Sequence, residues 1–354
     1  MVKSFRSGFV QILVVVLLLA VLVGGGWYFY TNRTQDTELK TPSLASQIQE
    51  SLVADPFAEM TIPHLRQREY ESELGELTQI SENSNYTTYL TSYDSDGLNI
   101  EGLLTIPAGE VPEEGHPAIV FVHGYIAPSI YVTTEKYVDY VNYLARNGYV
   151  VFKIDLRGHG NSEGVPGGAY YSGDYIIDTL NARAALANTD FVDGEAIGLW
   201  GHSMAGNVIM RALAAIPTIP AISIWAGAVH TYTDMQEFGI DDNSYRPPSS
   251  DSERRRRREE LAETHGGFDA TDSFWRQVPA TNYLDEIEGA IQINHAVNDN
   301  VVTVDYSRNL ARLLEEAGKN YEYHEYETGG HNISSPAFTE AMRNTVAFFD
   351  EHLK

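Results

Sequence analysis

A serine hydroxyl is a poor nucleophile near neutral pH unless a base lies within hydrogen-bond reach and a carboxylate orients that base. This chain holds residues of all three types in settings that suit such work. Ser203 stands in Gly201-His202-Ser203-Met204-Ala205-Gly206, after the apolar run Ala196-Ile197-Gly198-Leu199-Trp200 and before a helical stretch, Asn207 to Ala215. Small residues around a serine between a strand and a helix describe a turn so sharp that the hydroxyl is lifted above the sheet edge. An ordinary strand–turn–helix corner has similar composition, so the downstream residues carry the argument. Ala290 to Asn294 reads as a strand and leads through His295 to Asp299 in a loop. Tyr321 to Tyr326 reads as another strand and leads into Gly329-Gly330-His331-Asn332, ahead of a final helix from Pro336 to Leu353. The chain order is Ser203, Asp299, His331. Asp305 is a rival acid, but it falls within the helix after the Asp299 loop.

Acyl transfer also needs two N–H donors aimed at the developing oxyanion. Met204 supplies one by position, at the start of a helix whose N-terminus carries partial positive charge. Pro117 to Val122 is a buried-strand run ending in His123-Gly124-Tyr125, and the backbone N–H of Tyr125 is the second candidate. A further strand, Tyr149 to Ile154, ends in Asp155-Leu156-Arg157-Gly158-His159-Gly160-Asn161-Ser162.

Taken together, these segments resemble the catalytic domain of the prolyl oligopeptidase (S9) branch of the α/β-hydrolases, nearest the dipeptidyl-aminopeptidase and acylaminoacyl-peptidase-like enzymes. The resemblance covers residues 86–354. It rests on His123-Gly124, on Asp155-x-Arg157-Gly158-His159-Gly160-x-Ser162, on the serine turn, on the Asp299 loop and on Gly330-His331. It implies Ser203 as nucleophile, His331 as general base and Asp299 as its orienting acid, with no metal and no organic cofactor. It also implies that His123 shapes the oxyanion loop, and that Asp155, Arg157 and His159 form a structural loop with Arg157 paired to a carboxylate. His202 is expected beneath the turn, and His295 and His324 in the core or on the surface. Tyr125, Tyr131, Tyr170 and Tyr171 are candidates to line the pocket. The sequence departs from the family pattern at Ala205, where a glycine is usual, and at Ala296 and Thr303 in the acid loop. No β-propeller is expected ahead of the domain.

The implied activity is a serine hydrolase, an S9-type peptidase on small peptides. A carboxylesterase acting on acyl esters or acetylated glycans is the alternative, and a non-catalytic membrane-anchored scaffold is a third reading.

The elements that must position these residues follow from the pattern. Tyr86 to Tyr93 and Leu98 to Pro107 flank the turn signal Asp94-Ser95-Asp96-Gly97 and read as a hairpin. Strands at 117–122, 149–154, 195–200, 221–226, 290–295 and 321–326 then alternate with helices at 134–146, 174–188, 204–215, 304–317 and 337–353. Such alternation predicts an α/β fold with a mostly parallel central sheet and helices on both faces. Residues 228–288 interrupt it and read as a helical cap. Within the cap, Arg254 to Arg258 invite an anion-binding role. Asp251 and Glu253 before the run and Glu259, Glu260 and Glu263 after it favour a solvated helix with i,i+4 pairs.

Composition narrows the rest. With a formal net charge of −25 the chain repels phosphates, which argues against nucleic-acid partners. With 0 cysteines it has neither a disulfide framework nor a thiol nucleophile. Lys3 and Arg6 precede an uncharged run from Ser7 to Asn32 that ends in Trp27-Tyr28-Phe29-Tyr30. A run of that length can span a bilayer core of about 30 Å, with the aromatics at the interface and the N-terminus inside. Residues 1–32 are therefore read as a membrane anchor, with a cleavable signal peptide as the alternative. Either reading sends the enzyme outside the cytoplasmic membrane. Residues 33–85 are a linker and N-terminal extension without a compelling period.

Overall fold

The structure, a computed structural model, describes residues 55–239 and 252–354, with side chains from 255 onward in the second stretch. The proposed membrane anchor, most of the linker, and Tyr245-Arg246-Pro247-Pro248 lie outside the described residues. Among the described residues no helix is long and apolar enough to cross a membrane.

Nine strands form a single sheet: β1 (Thr78–Glu82), β2 (Tyr86–Ser95), β3 (Leu98–Pro107), β4 (His116–Val122), β5 (Val150–Ile154), β6 (Val192–His202), β7 (Ala221–Trp225), β8 (Ala290–Ala296) and β9 (Tyr321–Tyr326). Their spatial order is 1-2-3-5-4-6-7-8-9. The first pairings, through β3 with β5, are antiparallel, and every pairing from β5–β4 onward is parallel. The parallel strands are apolar over most of their length and β4, β5, β7 and β8 are buried nearly throughout, as expected for strands covered on both faces. The predicted hairpin and the alternating core are thus present, with the sheet mostly parallel.

Two elements escaped the sequence reading. β1 is exposed at all five positions, so it has no inward face to mark it. Such a polar strand is a common way to terminate a sheet edge. The helix α1 (Ile62–Gln67) is only six residues long, begins at the Thr61 cap and buries just Ile62 and Leu65. The helix predicted from 134 starts instead at Val138, because Tyr137 takes a left-handed conformation (φ 60°) that ends the preceding turn.

Helices α2 (Val138–Arg146) and α8 (Phe338–Leu353) pack on one face of the sheet. Helices α3 (Asp174–Ala187), α4 (Met204–Ala215) and α7 (Asp305–Glu316) pack on the other. All twelve residues of α4 are buried, which fixes the element that follows Ser203. Between β7 and β8 the chain runs through α5 (Tyr232–Glu237), α6 (Ser252–His265) and two 3-10 turns. Leu261, Phe274, Trp275 and Val278 of this insertion share an apolar cluster with Phe57 and Met60.

The loop after β5 is held by a buried ion pair. Arg157 Nη2 lies 2.7 Å from Asp178 Oδ1 on α3, and Arg157 Nη1 lies 3.1 Å from Asp174. Asp178 also accepts from Ser95 and from the Arg157 backbone, at 2.7 and 3.1 Å. Removing the guanidinium leaves a fully buried carboxylate without its cation. Arg157→Met is expected to lower stability by about 3–5 kcal/mol. Denaturant titration checks this; a change below about 1 kcal/mol contradicts it.

Candidate active site

Parallel register brings the carboxyl ends of the central strands to one edge. Val122 pairs with Gly201, His202 with Trp225, and Trp225 with Asn294, and Ala296 pairs with Tyr326. The segments following β4, β6, β8 and β9 therefore converge. They carry Tyr125, Ser203, Asp299 and His331. β5 and β6 lie on opposite sides of β4, so the chain reverses direction across the sheet there, and such a switch point opens a crevice at the strand ends.

Ser203 sits at φ 56° and ψ −120°, a region non-glycine residues rarely adopt. Its neighbours enforce that geometry. Ser203 N donates to Trp225 O at 2.8 Å, while Gly206 N and Ala228 N donate to Ser203 O at 3.0 and 3.3 Å. The turn also needs two close approaches. A Cβ at Gly201 would lie 2.7 Å from the Ala205 carbonyl oxygen, and one at Gly206 would lie 2.8 Å from the Gly227 Cα. Gly206 meets the second demand, and Ala205 is accommodated as a buried methyl.

His331 Nε2 lies 2.8 Å from Ser203 Oγ, and His331 Nδ1 lies 2.8 Å from Asp299 Oδ2. The backbone N–H groups of Val301 and Val302 donate to Asp299 Oδ1 at 2.8 and 3.1 Å. The Asp299 side chain is fully buried. Burial works to raise its carboxyl, but the hydrogen bonds from His295 and His331 outweigh it and hold the group well below the usual carboxylate range. The rival Asp305 begins α7, half exposed, where it pairs with Arg308 at 3.1 Å.

Sequence reasoning assigned His295 to the core or surface and gave it no part in this arrangement. The side chain is buried, with Nε2 3.1 Å from Asp299 Oδ2 and Nδ1 2.7 Å from the Ser307 hydroxyl. It is a second imidazole on the same carboxylate oxygen. The hint lay in its place at the end of the strand, four residues before Asp299.

His202 is buried beneath the turn as expected, and it also joins three loops. Gly124 N donates to Tyr137 Oη at 3.0 Å, and Tyr137 Oη lies 2.8 Å from His202 Nδ1. His202 Nε2 lies 2.8 Å from the carbonyl oxygen of His331. With Nε2 donating to that carbonyl, Nδ1 accepts from the tyrosine and the ring is neutral. Burial, reinforced by the neighbouring His331, pushes His202 down to about 3. Nothing in the sequence marked Tyr137 for this part.

His123 and His230 are likewise buried and neutral. Burial, then His159, holds His123 well below its ordinary value, and burial brings His230 down to about 4. In the unfolded chain each of these three takes a proton near pH 6.5; in the folded protein it does not. Their contribution to stability is full above about 6.5 and is lost as pH falls, at up to about 1.4 kcal/mol per pH unit for each. Asp155, pushed up to about 6 by burial, works in the opposite direction, as do Glu59 and Asp178, which burial also raises. The expected result is a clear fall in the denaturation midpoint between about pH 7 and about pH 5, above the range where ordinary carboxylates titrate. An unchanged midpoint contradicts the neutral, buried assignment.

A cavity of about 900 Å³ opens over Ser203. Tyr125, Met204 and His331 line it with the serine, as do Tyr170 and Tyr171. Tyr131, the fourth tyrosine expected there, lies below it instead, donating to buried Asp155 and accepting from Lys153 at 3.1 Å. The insertion supplies Met235, Arg257 and Arg258 to the cavity wall. The predicted i,i+4 pairs form at Arg255–Glu259 and Arg256–Glu260, 3.6 and 3.8 Å. Arg257 and Arg258 depart from the solvated-face reading by turning toward the cavity, and Arg257 pairs with Glu59. His324 stays at the margin of the sheet, 3.1 Å from Glu322. Among the described residues no group of histidines and acids is arranged to hold a metal ion.

Two family profiles match the chain: serine aminopeptidase, S33, over residues 113–239, and the C-terminal domain of BAAT / acyl-CoA thioester hydrolases over residues 180–354. The chain has the α/β-hydrolase fold, and its catalytic domain is similar to those of S9 peptidases. An uncharacterized peptidase of Bacillus subtilis, YuxL, is 25% identical over 73% of this chain, which spans only 38% of that relative's length. The acylaminoacyl peptidase of Pyrococcus horikoshii superposes with a TM-score of 0.60 and 20% identity, covering 79% of this chain and 45% of its own. An acetyl xylan esterase from a Thermoanaerobacterium species gives 0.58 and 19% identity over 85% of this chain and 93% of its own. At such identities the structural likeness speaks for the fold.

Proposed function

We propose that this protein is a serine hydrolase working by acyl transfer through Ser203, His331 and Asp299, on small peptides. The observation that carries the reading is the continuous hydrogen-bonded path from Ser203 Oγ through His331 to Asp299, each step 2.8 Å. Ser203 Oγ attacks the substrate carbonyl carbon while His331 Nε2 takes its proton. The negative charge that develops on the carbonyl oxygen is met by the backbone N–H groups of Met204 and Tyr125. His331 then gives the proton to the departing nitrogen, and the acyl-serine forms. Water, deprotonated by the same imidazole, attacks the acyl carbon and frees Ser203. Asp299 stays ionised throughout, holding the Nδ1 proton of His331 and stabilising the imidazolium. No step calls on a metal or an organic cofactor.

Ester hydrolysis is the second reading. The acetyl xylan esterase favours it, because its chain is matched almost end to end, whereas the peptidase of known structure is matched over less than half. The steps are the same with an alcohol leaving. Matched aminoacyl amides and short-chain esters test the choice. Amide turnover within about a hundredfold of the matched ester supports the peptidase; ester turnover alone makes the protein an esterase. The uncharged run from Ser7 to Asn32 supports placing the domain on the outer side of the cytoplasmic membrane, held by that segment or released by its cleavage. Fractionation of cells, with protease accessibility of the domain, tests that placement.

A further inference from the structure

The i,i+4 pairing that accounts for Arg255 and Arg256 does not extend to the last member of the arginine run. Arg258 has Leu261 at i+3 and Ala262 at i+4, so no acid follows it at helical spacing. Among the described residues it has no carboxylate partner. Its guanidinium lies over the Tyr171 ring instead, 4.3 Å from the centroid. Stacking of this kind fixes the plane of the guanidinium and leaves its N–H edge free for a planar, two-oxygen acceptor.

Arg258 also stands at a junction. It lines the cavity over Ser203 and, with Tyr170, Tyr171 and Met235, a second chamber of about 320 Å³. The chamber walls are mostly apolar, with Tyr232, Leu261, Phe268, Trp275 and Val278, and Arg211, Asn207, His230 and Gln236 add polar groups. Lys136 adds another cation to the main cavity. The carboxylate lining that cavity, Asp174, shares Arg157 with Asp178, and Arg257 is occupied by Glu59. In a chain of net charge −25, Arg258 and Lys136 thus outnumber that one carboxylate at the entrance to the serine.

Resting on the hydrolase reading above, we propose that this chamber selects substrates that carry a free carboxylate beside an apolar group. Arg258 holds the carboxylate at the rim and the aromatic walls take the apolar group. An ammonium group in the same place meets the Arg258 cation, so positively charged substrates are disfavoured. The i,i+4 pairing expected from the sequence forms at Arg255 and Arg256 and does not reach Arg258.

The test uses the full chain and two matched pairs of substrates at low salt. One pair is p-nitrophenyl esters of equal length, with and without a terminal carboxylate on the acyl chain. The other is N-acyl dipeptides ending in phenylalanine, as the free acid and as the amide. The expected result is that the acid is preferred about tenfold in kcat/KM, mainly through KM, in the pair whose carboxylate reaches Arg258. Which pair responds tells whether the acyl or the leaving side occupies the chamber. Arg258→Gln should remove the preference, Arg258→Lys should restore part of it, and Arg255→Gln, on the paired outer face, should leave it intact. Equal kcat/KM in both pairs, or a preference that survives Arg258→Gln, overturns the proposal. Turnover that depends on Ser203 but ignores the carboxylate overturns this inference alone; turnover that persists in Ser203→Ala overturns the hydrolase reading beneath it. If none of the four is cleaved, protection of Ser203 from a fluorophosphonate by hydrocinnamate decides. Protection lost in Arg258→Gln supports the site, and absence of protection in the unmodified protein overturns it.

Discussion

Ser203→Ala is expected to reduce kcat by on the order of 10⁶ and to leave the fold unchanged. The size of the loss follows from the role: without Oγ there is no nucleophile, and water must attack unaided in a site whose remaining groups still bind and polarise substrate. The fold is spared for a specific reason. Among the described residues Ser203 Oγ bonds His331 alone, while the strained backbone is held by Trp225, Gly206 and Ala228 through main-chain atoms. Alanine keeps the Cβ and those main-chain bonds. Circular dichroism and the denaturation midpoint should match those of the unmodified protein. Activity within about tenfold of the original, in a preparation free of contaminating hydrolase, contradicts the assignment.

Asp299→Asn is expected to lower kcat by about 10³–10⁴ while changing stability far less. The carboxylate accepts four hydrogen bonds, from two backbone N–H groups and two imidazoles. An amide can keep its oxygen toward Val301 and Val302, but its NH₂ then faces His295 Nε2 and His331 Nδ1. His331 answers by moving its proton to Nε2, and in that tautomer it cannot take the proton of Ser203. Should the amide turn over, the two backbone donors face the NH₂ and one turn of the loop loses its anchor. Steady-state kinetics distinguish the outcomes, because the loss falls on kcat with KM little changed. A fall of less than tenfold contradicts the role given to Asp299. Transfer of the role to Asp305 is not expected, since that residue is on the surface with Arg308.

Much of this arrangement was legible in the residues themselves, and the reasons are physical. Strands buried on both faces must be apolar runs, so β4, β5, β7 and β8 announce themselves. A turn that only small residues can make marks Ser203, and glycines mark the loop before His331. Those signals are local, and they also fix chain order. What escaped depends on contacts between distant segments. Tyr137 gave no sign that it bonds both Gly124 and His202, because that contact exists only once β4, β6 and α2 are assembled. His295 reads from sequence as a core or surface residue, and it is buried; its bond to Asp299 depends on how the loop folds back. β1 has no apolar face to read. The arginine run was legible in part: the i,i+4 rule accounts for Arg255 and Arg256, and it cannot see Glu59 or Tyr171, which approach from elsewhere in the chain.

The departure from the family pattern at Ala205 also acquires a reason. Ala205 replaces a glycine at a position whose methyl is buried without a clash, while the close approach of backbone to backbone falls one residue later, at Gly206. The demand is for a glycine where α4 meets Gly227, and the sequence supplies it there.

The central claim is that Ser203 is an activated nucleophile, and labelling by a fluorophosphonate probe tests it most directly. The reagent reports nucleophilicity at one oxygen and needs no knowledge of the natural substrate. The account predicts stoichiometric modification mapped by mass spectrometry to Ser203, abolished in Ser203→Ala and strongly slowed in Asp299→Asn. An unmodified Ser203, or label found on another residue and unaffected by either substitution, contradicts it.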